Sequence, residues 1–516
     1  MRRVTSWVVA IALSAGWTGM ARSEPAPRIE PDYAGITIPP NIAPMNFVVR
    51  ESGSVFRVVF TGAHGGAFAV QTTSGRVGIP AREWRALLMA NTGAEARVSI
   101  ARPTAGGGWR AFAVITNRVA TAPIDPWLGY RSMKSVYNLW RDIVLVQRNL
   151  TSFECRPIIR GNAVTRSASG ICVNCHTFRN RDPEWMVFGT RYDDSLGSSA
   201  ILAVTGSVSR INTRFGYSAW HPNGTLIAYA TMRVKFFEHR AGMEPRDVVD
   251  LDSDLAFCRM DGRTLDTVPQ IANPDYQETY PEWSPDGRHL YFCRSRIIWE
   301  DRKTVPPANY AKSQYDLARI AYDPDKNQWG AVETLLPAAV SGKSALEPRI
   351  SPDGRFLVFC LCDYGCFPVF RPDSDLHISD LSRNAKSGRF EYRKLECNSD
   401  TSESWHAWSG NGRWLVFSSK RLDGVFARPH FAYIDEDGHA SKPFVLPQED
   451  PEAYDVSLNS LTVPEFMTGP VSADERELVR AARNPAAGSK VNQPSTWATR
   501  TNATPLPRET PYGQRE

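Results

Sequence analysis

The chain has 516 residues, of which 42% are hydrophobic and 22% charged, and its formal net charge is +5. This composition is ordinary for a globular protein, and the length is sufficient for two or three cores or for one large repetitive domain. Because the sequence has no basic stripe interleaved with aromatic residues, it argues against nucleic-acid binding.

Residues 1–23 have the pattern of a secretory signal peptide. Arg2 and Arg3 supply a positive end, residues 4–17 form a short and mostly apolar run, and Ala21 and Ser23 suit a cleavage site. An uncleaved anchor is the alternative, although the run is short for a bilayer span and no other stretch reaches about 18 apolar residues. We expect a periplasmic protein whose mature chain has no membrane span.

The next segments are predicted from composition and periodicity. Residues 24–45 are rich in proline and are expected to run extended over the surface. Residues 46–120 alternate in short runs separated by glycine-rich turns, which is typical of a small β-sandwich-like domain, with one short helix at residues 81–90. In residues 121–170, aromatic and apolar side chains recur every three or four positions, which predicts a helical connector.

A repeat follows and indicates the fold. Four segments end in a glycine-containing turn and continue into an apolar strand, and their glycines are Gly224, Gly287, Gly354 and Gly412, spaced by 63, 67 and 58 residues. Such turns join two antiparallel strands, and a second hairpin per unit makes a four-stranded propeller blade. Residues 171–204 fit the same pattern with a longer turn. The sequence therefore predicts a mainly β protein whose β-propeller, of about six blades, spans residues 171–467.

Five blades are recognisable between residues 171 and 450. A sixth can be assembled from residues 125–170 together with residues 451–467, as an alternative use of the predicted connector. Residues 468–516 are polar and rich in proline, and they are expected to form a disordered tail.

The first predicted blade contains the motif Cys172-Val-Asn-Cys175-His176. Cys-x-x-Cys-His is the attachment signature of c-type haem: two thiols three positions apart bond the two vinyl groups of one porphyrin, and the histidine binds the iron. Export of the chain agrees with this interpretation because haem is attached outside the cytoplasm. We therefore expect one covalent haem c, bound through Cys172 and Cys175 with His176 as an iron ligand.

Three other interpretations of the motif remain open. A disulfide redox motif is one, although the surrounding βαβ pattern of a thioredoxin is missing. A zinc site is another, with Cys360, Cys362 and Cys366 as the nearest soft cluster in the sequence. The third is a purely structural cysteine pair. The chain has nine cysteines, so the seven outside the motif are odd in number and at least one has no intramolecular disulfide partner.

The second axial ligand of such a haem is open. Aligning the blades places His406 at the position of His176, which suggests ligation by both histidines, whereas a hydrogen-bonded wall residue is the alternative for His406. His221 and His239 are comparable candidates, and Met232 would give an iron of higher reduction potential. The iron can also keep an open sixth position.

Arginines flank the motif on both sides. Arg166, Arg179 and Arg181 precede or follow the cysteines closely in sequence and are candidates to pair with the haem propionates. Their alternative role is that of solvated turn charges.

The repeat units resemble those of the TolB-like, WD-repeat-related bacterial β-propellers over residues 171–450. The chain is also similar to a group of exported TolB-like proteins with a single Cys-x-x-Cys-His motif, through residues 36–44, 172–176, 363–368, 428–434 and 454–466. This resemblance implies a periplasmic haem-binding propeller and no particular substrate.

These features lead to three functional hypotheses. The first is electron transfer or haem sensing, with a propeller face that docks a redox partner protein through a small and transient contact. The second is a haem enzyme with an open iron site in the propeller channel. The third is an interaction scaffold with a structural haem.

Overall fold

The structure, a computed structural model, describes residues 25–134, 142–165, 171–192, 198–238, 244, 246–300 and 304–487. The predicted signal segment, Arg166 and His239 lie outside these residues. Within them, no helix is long and apolar enough to cross a bilayer.

Six four-stranded antiparallel sheets form the ring of a β-propeller, and five of them follow one another along the chain. We number these blades 1–5 in chain order, and in each of them the first strand is the innermost. The strands are Ile171–Phe178, Trp185–Tyr192, Ser198–Val204 and Ser207–Asn212 in blade 1; Ser218–Trp220, Leu226–Ala230, Leu255–Arg259 and Leu265–Asp266 in blade 2; Tyr276–Trp283, His289–Arg296, Asp316–Asp323 and Gln328–Leu336 in blade 3; Ser344–Ile350, Phe356–Cys362, Asp375–Asp380 and Arg393–Lys394 in blade 4; and Glu403–Trp408, Trp414–Ser419, Arg428–Tyr433 and Phe444–Val445 in blade 5.

Blade 6 is built from two distant parts of the chain and closes the ring. Asn459–Met467 is its innermost strand, and it pairs with Trp127–Lys134, which continues outward to Val144–Asn149 and Cys155–Arg160. The strand Asn459–Met467 contacts the innermost strands of both blade 5 and blade 1. The predicted fold class, a mainly β protein with a propeller of about six blades, is therefore confirmed.

The predicted helical connector at residues 121–170 is wrong. Three of the four strands of blade 6 come from this region, which confirms the alternative assignment to a sixth blade. Residues 135–141 and 166–170 lie outside the described part, and in the rest of the region the helix Gly161–Val164 has only four residues. The strand Trp127–Lys134 is buried on both faces between neighbouring blades along most of its length. Because apolar residues lie on both faces of this strand, the alternation of apolar and polar residues that usually marks a strand is missing. The spacing of three or four residues between the larger apolar side chains was therefore mistaken for that of a helix.

The innermost strands share an irregularity that controls the direction of their side chains. The register shifts between Asn174 and Thr177 in blade 1, and corresponding shifts occur in blades 3, 4, 5 and 6. At each shift one residue has positive φ: Cys175, Tyr280, Glu347, Trp405 and Val463. Such β-bulges place an extra residue in one strand and re-aim its side chain.

The N-terminal domain consists of two sheets that share a core with blades 5 and 6. One sheet contains Ile29–Glu30, Phe47–Val49 and Arg76–Val77, and the other contains Thr37–Ile38, Phe56–Gly62, Ala67–Thr72, Glu95–Pro103, Trp109–Ala111 and Ile115–Val119. The predicted helix is confirmed at Ala81–Ala90. The segment 24–45 is not confined to the surface, because Ile36, Ile38 and Ile42 are buried in this core.

Additional elements decorate the ring. A hairpin, Val234–Glu238 with Arg246–Asp250, is inserted between the second and third strands of blade 2. The remaining helices are Ala338–Ser341, Leu381–Ser387, Ala453–Val456 and Glu475–Arg483, with single 3₁₀ turns at Arg179–Arg181, Tyr310–Lys312, Pro368–Phe370 and Pro485–Ala487.

Part of the predicted disordered tail is folded. The helix Glu475–Arg483 begins at Asp474, whose carboxylate accepts the Arg476 N–H, and it buries Leu478 and Ala482 against blades 6 and 1. Leu478 and Ala482 are one helical turn apart, and these two apolar side chains on one face are sufficient to dock the helix, although residues 468–487 are polar in composition. Residues 488–516 lie outside the described part.

Candidate functional site

The Cys-x-x-Cys-His motif lies in the innermost strand of blade 1. Cys172 is near the start of this strand, and the bulge at Cys175, with a φ of 54°, turns the chain immediately before His176. The innermost strands of blades 1–5 begin at the same end of the ring, and we call this end the motif face because Cys172 lies there.

The two thiols are free, and they contribute to different cores. Cys175 is buried in the core around the propeller axis, whereas Cys172 is half-buried beside the core shared by blades 6 and 1. Burial raises the pKa of Cys175 to about 12 and also raises that of Cys172, while two guanidinium groups, those of Arg191 and Arg131, lower both. At neutral pH both groups are protonated thiols.

His176 has the features of a side chain that is prepared to bind a metal. The imidazole is 2% exposed, and neither ring nitrogen has a hydrogen-bond partner in the described structure. Burial lowers the pKa of His176 to about 4 and the charge of Arg131 lowers it further, whereas the Gly129 backbone carbonyl beside the ring raises it, so the ring is neutral at pH 7. A buried polar group without a partner is costly unless another group satisfies it. The donor set of two free thiols and one unpartnered imidazole therefore fits a covalently attached haem.

Two arginines that sequence analysis did not select lie near the thiols. Arg191 pairs directly with Cys172 across the strand, and Arg131 belongs to the neighbouring strand of blade 6, where its Nε donates to the Thr462 hydroxyl at 3.0 Å. The hairpin register set at residues 179–184 would by itself place Tyr192 opposite Cys172, and the bulge shifts the pairing by one residue to Arg191, so the sequence alone did not reveal this pair.

Arg179 is not at the thiol end of the strand. It follows Phe178, seven residues beyond Cys172, which at a rise of about 3.3 Å per residue is on the order of 20 Å away. There its guanidinium carbon lies 3.8 Å from the centre of the Trp185 ring. Arg181 is at the same end, beside Asp125. Arg179 is four residues beyond Cys175, about 13 Å along the strand, and its role as a propionate partner stays a prediction.

The structure does not bring His406 to His176. His406 lies between blades 5 and 4, where its Nε2 is 2.9 Å from the Val358 carbonyl oxygen. His176 lies between blades 1 and 6, packed near Phe178 with ring centres 5.8 Å apart. The two histidines occupy equivalent strand positions, but equivalent positions in different blades face different gaps between blades.

The other predicted ligands differ in position. His221 is at the far end of the ring from Cys172, with Nδ1 2.6 Å from Asn223 Oδ1 and Nε2 3.1 Å from the Gly287 carbonyl oxygen. Both of its nitrogens are therefore engaged in a turn. Met232 is buried in the same core around the axis as Cys175.

Aromatic side chains fill the propeller channel at the level of the bulges. Tyr217 stacks on Tyr280 with ring centres 4.4 Å apart, and it contacts Trp405 from the other side of the ring at 4.9 Å. Phe367, from a loop of blade 4, packs on Tyr217 at 6.1 Å. These contacts bring aromatic side chains from blades 2, 3, 4 and 5 together around the propeller axis.

The solved structures similar to this chain are distant from it in sequence. No protein-family model matches the chain, and no curated protein matches it. Similar solved structures include puromycin hydrolase (15% identity, TM-score 0.35, 56% of this chain and 40% of that chain). A hypothetical selenium-binding protein from Sulfolobus tokodaii is 8% identical with a TM-score of 0.37, over 68% of this chain and 96% of that chain. Hydrazine synthase from Kuenenia stuttgartiensis is 15% identical with a TM-score of 0.31, over 52% of this chain and 64% of that chain. This chain spans about two fifths of the puromycin hydrolase chain. These low identities and TM-scores support no statement about activity.

Proposed function

We propose that this propeller is an exported electron-transfer protein that carries one haem c, bound by Cys172 and Cys175 with His176 as an iron ligand. The single observation that carries the proposal is the His176 imidazole, which is buried and neutral, has no hydrogen bond of good geometry among the described residues, and directly follows the second of two free thiols at haem-attachment spacing. When bound, haem supplies one-electron redox chemistry.

The residues around the motif have defined roles in this proposal. The thiols hold the porphyrin covalently, and the surrounding core excludes water from the imidazole. Arg131 and Arg191 supply positive charge where propionate groups need it, since their charge already acts on both cysteines. Met232 is the candidate for the second axial position because it lies in the core that contains Cys175.

The motif face is also the proposed docking surface for a redox partner protein. Linkers and loops at this end of the ring carry most of the exposed large apolar side chains of the described propeller: Phe236, Ile298, Val340, Leu422, Val425, Val456 and Leu458. Small and transient redox contacts use apolar surface near the cofactor, so that electrons travel a short path.

The first experiment tests attachment. The full chain is produced with a haem-maturation system and examined by intact mass and by a pyridine-haemochrome spectrum. We expect one haem per chain, lost in Cys172→Ser/Cys175→Ser and retained in Cys155→Ser, which removes an exposed cysteine outside the motif. Colourless protein with both motif thiols free or joined to each other would overturn the proposal.

The second experiment separates transfer from catalysis. Visible spectra of the reduced protein are recorded with and without carbon monoxide. Six-coordinate, low-spin iron that does not bind carbon monoxide supports electron transfer, and its conversion to a carbon monoxide-binding form in Met232→Ala supports Met232 as a ligand. A large carbon monoxide shift in the wild type would contradict electron transfer and favour a haem enzyme.

A further inference from the structure

A second group of metal-binding side chains lies away from the haem motif, between blades 4 and 5. Glu347 and Cys360 come from the first two strands of blade 4, and His406 comes from the innermost strand of blade 5. One donor atom of each residue lies within 4.8 Å of the other two, and all three residues are buried.

The separations of these donor atoms suit a tetrahedral ion. The Cys360 sulfur is 3.4 Å from Glu347 Oε2 and 3.9 Å from His406 Nδ1. Zinc binds cysteine sulfur at about 2.3 Å and histidine nitrogen or carboxylate oxygen at about 2.0 Å, which places neighbouring ligand atoms about 3.5 Å apart in a tetrahedron. The two distances from sulfur are within about 0.4 Å of this value, and the carboxylate and imidazole donors lie within 4.8 Å of each other.

The orientation of His406 is that of a metal ligand. A carbonyl oxygen only accepts hydrogen bonds, so the contact with Val358 fixes the proton of His406 on Nε2 and leaves the Nδ1 lone pair directed toward Cys360. Histidines that bind metals usually donate their other N–H to a carboxylate or a backbone carbonyl in this way.

Glu347 supplies an oxygen that has no partner in the protein. Its bulge conformation, with a φ of 55°, directs the carboxylate into the gap, where Oε2 accepts the Trp405 N–H at 2.6 Å. Oε1 has no hydrogen-bond partner within the described residues, although Glu347 is only 2% exposed. A buried carboxylate oxygen without a partner is unfavourable, and a bound cation would satisfy it.

We propose that Glu347, Cys360 and His406 bind one zinc ion that joins blade 4 to blade 5. On binding, the Cys360 S–H bond breaks, a sulfur–zinc bond forms, and this proton leaves to solvent together with any proton on the Glu347 carboxyl, whose pKa burial raises to about 7. Thiolate and carboxylate together balance the two positive charges of the ion. The nearest guanidinium, that of Arg349, is already paired with Glu282 at 3.2 Å. The fourth position is available to Glu347 Oε1 or to water.

Blade 3 provides a matched control. Cys293 has the same position in the second strand of blade 3 as Cys360 has in blade 4, and it is equally buried. The residue of blade 4 that corresponds to His406 is Pro348, which cannot bind a metal. Cys293→Ser therefore removes a buried thiol without removing a proposed ligand.

The test measures zinc in the full chain after dialysis against a weak chelator, by elemental mass spectrometry. We expect about one zinc per chain in the wild type, in Cys293→Ser and in Cys172→Ser/Cys175→Ser, and at least a fivefold reduction in Cys360→Ser and His406→Gln. Equal zinc in the wild type and in Cys360→Ser would overturn the proposal, whatever the haem content.

A second measurement covers variants that do not fold. The wild type is unfolded with chelator and refolded with Co²⁺, which gives a near-ultraviolet charge-transfer band when a thiolate binds the ion. We expect this band in the wild type and in Cys293→Ser, together with a higher unfolding temperature than that of protein refolded with chelator. If refolded wild type shows neither the band nor the higher unfolding temperature, the site does not bind metal.

Discussion

Phe466→Ala tests whether the strand Asn459–Met467 holds the ring closed. Phe466 is 1% exposed, pairs with Leu128 across blade 6, and lies 6.1 Å from the Phe431 ring. The change removes about 120 Å² of buried apolar area, which at 25 cal/mol per Å² corresponds to about 3 kcal/mol. The cavity adds a further term, so we expect the free energy of unfolding to fall by about 3–5 kcal/mol.

The measurement is equilibrium unfolding in urea, followed by tryptophan fluorescence and by circular dichroism. Leu458→Ala is the matched control, since Leu458 immediately precedes the same strand and is 56% exposed. We expect the control to cost less than about 0.5 kcal/mol. If Phe466→Ala costs no more than Leu458→Ala, the C-terminal strand does not stabilise the ring and our account of blade 6 is wrong.

Three further predictions use the same unfolding assay. Gly287→Ala should lower the free energy of unfolding more than Gly354→Ala does. Both glycines have positive φ, so each substitution adds about 1–2 kcal/mol of backbone strain, but only a Cβ at position 287 would lie 2.4 Å from the His221 ring. Equal losses in the two variants would contradict this. Burial raises the pKa of Glu465 from 4.5 to about 7, so between these pH values the carboxyl is protonated in the folded chain and ionised in the unfolded chain. The wild type should therefore lose stability relative to Glu465→Gln as pH rises from 4.5 to 7. A stability difference that does not change with pH would refute the raised pKa. Leu478→Ala should cost about 2–5 kcal/mol because this side chain is fully buried, whereas a loss below 0.5 kcal/mol would mean that the helix Glu475–Arg483 is not docked.

The repeated turns made most of the propeller predictable. Gly224, Gly287, Gly354 and Gly412 all have positive φ at the tip of the first hairpin of blades 2–5, which is the conformation that selects glycine there. This local requirement is visible in sequence because few residues satisfy it. Blade 6 has no such turn, since its innermost strand is separated from the other three by five intervening blades.

The candidate site was only partly predictable. Spacing alone identified Cys172, Cys175 and His176, because the chemistry is local. The position of His406 was not predictable from spacing, because the bulge at Trp405 directs His406 into a gap between blades. Side-chain direction after a bulge depends on three-dimensional pairing that a single sequence does not show.

The composite construction of blade 6 gives the chain a long interval in which one sheet edge has no partner. The strand Trp127–Lys134 is synthesised more than 300 residues before Asn459–Met467, which covers its inner edge. Unpaired edges favour aggregation, so a chaperone is of most use before the last strand arrives. During the same interval the first blade is open on the side that later faces the sixth, and a maturation enzyme could reach Cys172, Cys175 and His176 there before the ring shuts.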